Sequence, residues 1–328
     1  SSMYTQEEQD AMSDEEKANA WNQMWRNFCV SDTFEPGSPS KVFTVSAALE
    51  ENLVTPNTHF FCDGYQTIAG YNVKCTAFRK GGHGDLALDE TLMVSCNDAM
   101  MQMAAMEKKE TFKKYQDLFN LGSKTGIDLP GEADASTLVY QADNMGPMDL
   151  ATNSFGQNYN CTMVQMAAAF ASTINGGYYY EPHIVKQILN ESGSVVKKND
   201  RLLVRETVSA STSDFIRRAL VRTVAEGTGK AAQVAGYEVG GKTGTAEKIP
   251  RKQGNYLVSF CGFAPADDPQ ALVYVVIDEP HVEDQAHSSY ASSVFSQIMG
   301  DILPYLNVFP TTDLPEEDQS IKSQLPQE

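Results

Sequence analysis

The apolar positions of this chain recur with helical spacing in some stretches and strand-like spacing in others. Trp21, Trp25 and Phe28 recur at i, i+4 and i+7, which predicts a helix over residues 18–28 whose aromatic stripe packs in the core. Glu35-Pro36-Gly37-Ser38-Pro39 then punctuates the chain. A helix is predicted to start there and run to about Glu51, because Ser is a favoured N-cap and Pro a favoured first-turn residue. Residues 55–85 read as loop-rich, 89–120 as helical, and 121–135, with Gly122, Gly126, Pro130 and Gly131, as a turn-rich connection. An alanine-rich buried helix is predicted over 162–174, stopped by Gly176-Gly177. Residues 184–206 read as a hairpin around Gly193, and 213–225 as a helix ending at Gly227. Three strand-like runs follow at 242–248, 256–264 and 271–278, then a closing helix at 288–303. The acidic tail, 311–328, is predicted to be disordered.

Composition narrows the function classes. With 328 residues, 41% apolar and 21% charged, the chain is globular and long enough for a large core. Its 25 basic against 43 acidic residues give a net charge of −18, which argues against nucleic acid as a partner. No apolar run approaches the roughly 20 residues of a membrane span, and no signal peptide is present. The polar start at Ser1, without an initiator Met, reads as a piece of something longer. Six cysteines at 29, 62, 75, 96, 161 and 261 form no C-x-x-C pair, and none of the five histidines sits at metal-ligand spacing, so no metal is expected. Nucleotide-binding glycine motifs are absent.

Three short motifs carry candidate chemistry. In Ser38-Pro39-Ser40-Lys41, helical geometry places the Ser38 hydroxyl and the Lys41 amine on one face. A serine is a weak nucleophile without a neighbouring base, and a lysine serves when burial or nearby cations populate its neutral amine. A second match, Ser194-Val195-Val196-Lys197, lies in a strand-like stretch, where i and i+3 point to opposite faces. Ser95-Cys96-Asn97 offers a hydroxyl to relay a proton and an amide to hold a carbonyl. Lys242-Thr243-Gly244-Thr245 offers a fixed positive charge, carboxylate-binding hydroxyls, and a glycine beside which a substrate backbone can lie. Its other copy, Lys124-Thr125-Gly126, sits in the turn-rich connection. In this order the three form the signature of penicillin-binding proteins and class A β-lactamases.

The chain resembles the transpeptidase domain of class B penicillin-binding proteins, the monofunctional peptidoglycan D,D-transpeptidases. Further stretches carry the likeness: Gly82-His83-Gly84, the run from Thr125 to Ala133, Phe155-Gly156-Gln157, Glu226-Gly227-Thr228-Gly229 and Gly262-Phe263-Ala264-Pro265. The resemblance covers roughly residues 20–306, after a polar segment 1–20 and before the tail 307–328. It implies an α/β fold of the α+β type, an antiparallel sheet flanked by helices. Two of that sheet's five strands precede the nucleophile helix in the family and are expected to be missing here. By position it implies Ser38 as acyl-enzyme nucleophile, Lys41 as its base, Ser95 as proton shuttle and Asn97 as the holder of the substrate amide. Lys242, Thr243, Gly244 and Thr245 would receive the terminal carboxylate, and the backbone N–H groups of Ser38 and Thr245 would form the oxyanion hole. The implied partners are peptidoglycan stem peptides, β-lactams and a membrane-bound glycosyltransferase. The implied location is the extracytoplasmic face of the bacterial membrane, and no cofactor is implied.

The chain departs from the family pattern at Pro39-Ser40, where a Thr-Phe-like pair is usual, and at Cys96, where Ser is common. Cys96 lies between two site residues, so a disulfide to Cys75 or Cys62 would act on that loop, whereas a Cys62–Cys75 disulfide would be a structural staple. Rival readings are a serine β-lactamase, for which the E-x-x-L-N segment is absent, a D,D-carboxypeptidase, and a non-catalytic penicillin sensor or scaffold.

Overall fold

The structure is a computed structural model and describes residues 5–310 and 312. Its first elements are helices α1 (Gln6–Ala11), α2 (Asp14–Trp25), α3 (Phe28–Ser31) and α4 (Lys41–Glu50). Four short strands follow: β1 (His59–Cys62), β2 (Tyr65–Ile68), β3 (Tyr71–Lys74) and β4 (Gly84–Ala87). Next come α5 (Leu88–Met93), α6 (Asn97–Leu118), α7 (Pro147–Asn153) and α8 (Met163–Ile174). Strands β5 (Tyr178–Tyr180), β6 (Gln187–Leu189), β7 (Val195–Lys198) and β8 (Leu203–Glu206) precede α9 (Ala210–Ala225). Strands β9 (Gly240–Glu247), β10 (Tyr256–Ala264) and β11 (Ala271–Asp278), then α10 (Ser289–Tyr305), complete the order. Among the described residues no helix is long and apolar enough to cross a membrane.

The largest sheet is antiparallel, in the order β11-β10-β9, and has three strands. Its central strand β10 is buried on both faces. Phe260 packs on Phe295 of α10, ring centroids 4.7 Å apart, while Cys261 and Phe263 point into the main core. That core gathers α4, α6, α8 and α9 around Val42, Val45, Met100, Phe170 and Ile216. Helix starts follow local chemistry: Thr162 and Gln165 form a reciprocal capping box at α8, and the Ser209 hydroxyl caps α9.

Several expectations shift. The aromatic stripe is not core: α2 ends at Trp25, and no residue of it is buried, with Trp21 64% and Trp25 86% exposed. Phe28 belongs to the next helix and stacks on Phe34, 6.0 Å between centroids. Periodicity found the helical face, but no described element covers it. The loop-rich stretch 55–85 contains two antiparallel pairs, β1–β4 and β2–β3, too short for a periodic signal. The stretch read as helical at 89–120 is broken at Val94–Cys96 and kinked again at Lys108 inside α6, and the first break presents Ser95 and Asn97. The hairpin at 184–206 holds as β6 paired with β7, while β8 turns back to pair β5. The run around Asp128 docks it, because the Asp128 carboxylate accepts from the backbone N–H groups of Ile184 and Val185 at 2.7 and 3.0 Å. Except for residue 312, the tail 311–328 lies outside the described residues.

Candidate active site

The nucleophile turn is built by close backbone approach. Gly37 adopts φ 65° and its N–H donates to the Gly156 carbonyl at 2.8 Å. A Cβ on Gly156 would lie 1.9 Å from the Gly37 oxygen, so only glycine fits that contact. Ser38-Pro39-Ser40 then forms a 3₁₀ turn with Pro in its first turn and runs into α4 at Lys41. The Pro39 ring lies against β9: a Cβ on Gly244 would come within 2.8 Å of its Cδ and 2.2 Å of the Ser259 hydroxyl. Ser40 is buried and its Oγ accepts from the Tyr159 hydroxyl at 2.7 Å. The Pro39-Ser40 departure is thus absorbed by packing on either side of the turn.

Lys41 is fully buried, and its Nζ donates to the Ser95 carbonyl at 2.7 Å, the Ser95 Oγ at 3.0 Å and the Asn97 Oδ1 at 2.6 Å. Ser95 Oγ in turn donates to Ser38 Oγ at 3.1 Å. Among the described residues no side-chain hydrogen bond joins Ser38 directly to Lys41, so the two are connected through Ser95. Desolvation pushes Lys41 down from 10.5 to about 8, against the raising influence of Cys96 and Cys75. Lys242, on β9, is also fully buried, and desolvation with repulsion from Lys41 holds it well below the usual lysine range. Its Nζ donates to the Thr243 carbonyl at 3.3 Å, and Thr243 Oγ1 shares a 3.0 Å hydrogen bond with Thr228 Oγ1.

Ser38, Ser95, Asn97, Thr243 and Thr245 border one cleft of about 210 Å³, while the fully buried Lys41 and Lys242 are not among the residues that line it. Ser38, Ser95 and Asn97 line one side and Thr243 and Thr245 the other. Phe155, Gln157, Thr228, Thr76 and Ser288 also line it. None of these five is among the site residues that the motifs single out, although Phe155-Gly156-Gln157 and the Thr228 block lie in stretches that carry the family likeness. The rejected motif copies lie elsewhere: Val195–Lys198 is an exposed strand, and the Thr125 hydroxyl and N–H are held by Glu132 in a loop.

Cys62, Cys75 and Cys96 converge beside the Ser95 loop together with His83, but as free thiols. The Cys62–Cys75 staple is therefore absent, and Cys75 and Cys96 sit at 3.8 Å, hydrogen-bonded rather than bridged. Hydrogen bonds from Cys96, then from His83, pull the Cys75 thiol strongly down, while burial pushes Cys62 up to about 11. The convergence of His83 with the three cysteines was invisible in the sequence.

Comparison with known proteins agrees with this geometry. Residues 4–300 match the family model described as the penicillin-binding protein transpeptidase domain. Stage V sporulation protein D of Bacillus subtilis is 41% identical over 292 residues, covering 87% of this chain and 44% of that protein. A probable peptidoglycan D,D-transpeptidase PenA of Neisseria flavescens is 31% identical, covering 88% of this chain and 69% of that one. Among solved structures, penicillin-binding protein 3 of Mycobacterium tuberculosis complexed with ampicillin superposes with a TM-score of 0.79 at 29% identity, covering 88% of this chain and 65% of that one. The chain spans about half the length of most of the curated relatives it matches.

Proposed function

The chain belongs to the penicillin-binding protein transpeptidase family, and we propose on that footing that it is a serine D,D-transpeptidase acting on peptidoglycan stem peptides. The supporting observation is the hydrogen-bonded series Ser38, Ser95, Lys41, whose two serines line a cleft together with Thr243 and Thr245. In the resting arrangement Lys41 donates to Ser95 and Ser95 to Ser38. When Lys41 is neutral the series reverses: Ser38 gives its proton to Ser95, and Ser95 gives its own to Lys41. Ser38 Oγ then attacks the carbonyl of the D-Ala–D-Ala amide, with the backbone N–H groups of Ser38 and Thr245 facing the developing oxyanion. The C–N bond breaks, the stored proton passes to the departing D-Ala amine, and an ester to Ser38 remains. An amine of a neighbouring stem takes the acyl group by the reverse route. Asn97 positions the substrate amide, and Thr243 and Thr245 hold the terminal carboxylate, whose negative charge would favour the ammonium form of buried Lys242 beside it; Gly244 keeps that strand free of a side chain.

A β-lactam, which presents a similar carboxylate and a strained amide, would acylate Ser38 and stay. By resemblance, the whole protein works at the extracytoplasmic face of the membrane beside a glycosyltransferase. Intact-mass spectrometry after penicillin treatment tests the nucleophile. We expect one penicillin mass on the chain and none on Ser38→Ala; an adduct that survives in Ser38→Ala would refute the assignment. Incubation with a D-Ala–D-Ala pentapeptide, with and without an amine acceptor, separates cross-linking from carboxypeptidase and sensor readings. The first gives an aminolysis product, the second only the hydrolysed tetrapeptide, and the third neither.

A further inference from the structure

We propose that Cys62, Cys75, His83 and Cys96 form a tetrahedral zinc site that clips the Ser95-Cys96-Asn97 loop to the neighbouring strand pairs. The four residues come from the end of β1, the residue after β3, the residue before β4, and the break between α5 and α6. Separate chain segments thus bring four ligand atoms within 4.8 Å of one another, three of them from buried residues.

Three observations point to a metal rather than to a disulfide or a thiol cluster. The first is spacing. Zinc bonds of about 2.3 Å to sulfur and about 2.0–2.1 Å to nitrogen give tetrahedral edges of about 3.8 Å for S···S and about 3.6 Å for S···N. The structure has 3.8 Å between the Cys75 and Cys96 sulfurs, and 3.6 and 3.7 Å from His83 Nδ1 to the Cys62 and Cys75 sulfurs. A disulfide would need a separation of about 2.05 Å. The second is the surroundings of the sulfurs. The Ala99 N–H donates to Cys96 Sγ at 3.4 Å. An N–H donor suits a thiolate bound to a metal, since a ligating sulfur is an acceptor only. The third is backbone shaping. Gly82, at φ 96°, would place a Cβ 2.1 Å from the Cys62 carbonyl oxygen, so the turn that delivers His83 is pressed against the strand that delivers Cys62.

Three thiolates and one imidazole match a closed structural zinc site, and the soft sulfur donors favour zinc over magnesium, calcium or manganese. With the three cysteines bound as thiolates and the imidazole neutral, the four residues and the ion would carry a net charge of −1. All four positions are filled by protein, so the ion has no open coordination for substrate. Its role would be positional: Cys96 is flanked by Ser95, which sits at the unusual φ of 56°, and Asn97. A clip at Cys96 fixes both neighbours in the geometry in which they meet Lys41.

The metal claim is independent of the transpeptidase reading; only the kinetic arm of its test rests on it. The chain is refolded with reductant and zinc chloride, desalted, and assayed by elemental mass spectrometry beside Cys75→Ser, His83→Ala, His83→Cys and the exposed-site control Cys29→Ser. We expect about one zinc per chain in the parent, the Cys29→Ser control and His83→Cys, which keeps four ligands, and a large loss in Cys75→Ser and His83→Ala. Cobalt(II) in place of zinc should give the strong visible bands of a tetrahedral thiolate complex. Stripping the metal with a chelator under reducing conditions should slow penicillin acylation by about tenfold or more and restoration of zinc should recover it. A folded parent without zinc, zinc retained equally in Cys75→Ser, or a Cys75–Cys96 disulfide that persists in reductant with zinc present would each overturn the site. Loss of acylation with zinc content intact would count against the enzymatic reading alone.

Discussion

At the scale of single residues, the central question is how a lysine acts as a base near neutral pH. In water its amine would hold its proton up to about 10.4. Here burial removes hydration from Lys41 and lowers it to about 8, against the raising influence of Cys96 and Cys75. The three acceptors around Nζ favour the ammonium, so the resting state is charged and the active one is reached by losing a proton. The sign follows: acylation should rise with pH through about 8 and level off above it, because the neutral fraction saturates there. Second-order acylation rates measured against pH, corrected for β-lactam hydrolysis, check this. A profile that keeps rising to about pH 10 would return Lys41 to the behaviour of an exposed lysine. Lys41→Arg keeps the charge but cannot lose its proton, and should cost about 100-fold or more in acylation at every pH. The dyad was legible in the sequence, since S-x-x-K on a helix implies a shared face. The relay through Ser95 was not, because it depends on a break between helices 54 residues after Lys41 in the chain.

At the scale of elements, the site depends on how closely α4 can approach β9. Pro39 at the helix start and Gly244 on the strand meet there, and no side chain fits between them and Ser259. Gly244→Ala should therefore push the strand from the nucleophile turn or displace the Ser259 hydroxyl. Overpacking of this kind costs about 1–3 kcal/mol, and acylation should fall further than stability, because the displacement lies between the two walls of the cleft. Chemical denaturation and acylation kinetics on the same variant check the split; a stable protein acylating at the parent rate would show the strand has room. The same scale explains what sequence reading reached and missed. Strands β10 and β11 are evident because long apolar runs are bounded by turns, whereas β9 carries no such run and is marked by its Lys242-Thr243-Gly244 motif and the pair Gly240-Gly241 before that motif. The pairs β1–β4 and β2–β3 are not evident, because four-residue strands carry too few alternations to show a period. The aromatic stripe of α2 was found as a helix face but misjudged as core, since periodicity reports which residues share a face and not what covers it. Cys62, Cys75, His83 and Cys96 are separated by twelve, seven and twelve residues, unlike the close pairs by which metal sites are recognised, so only folding reveals them.

Across the whole molecule, the cleft lies between two packed bodies of side chains. Ser38, Lys41, Ser95 and Asn97 belong to the helices around the main core, while Lys242, Thr243 and Thr245 belong to the sheet, whose other face packs on α10. A ligand covalently bound to Ser38 whose carboxylate reaches Thr243 and Thr245 would tie the two together across about 210 Å³ of otherwise solvent-filled space. Contacts made only in the folded state raise its stability, so the acylated chain should melt above the free one. For a chain of 328 residues each kcal/mol gained is worth about 1.5 °C. The source of the gain can be isolated with Thr245→Val, which keeps the side-chain shape but removes the hydroxyl. That variant should still form the Ser38 adduct, more slowly, yet show a smaller rise in melting temperature than the parent when both are fully acylated. Scanning calorimetry of acylated and free protein, with occupancy fixed by intact mass, reads the difference directly. An equal rise in both would mean that the carboxylate end is not held by this wall of the cleft, and that the adduct stabilises through Ser38 and its own side of the cleft alone.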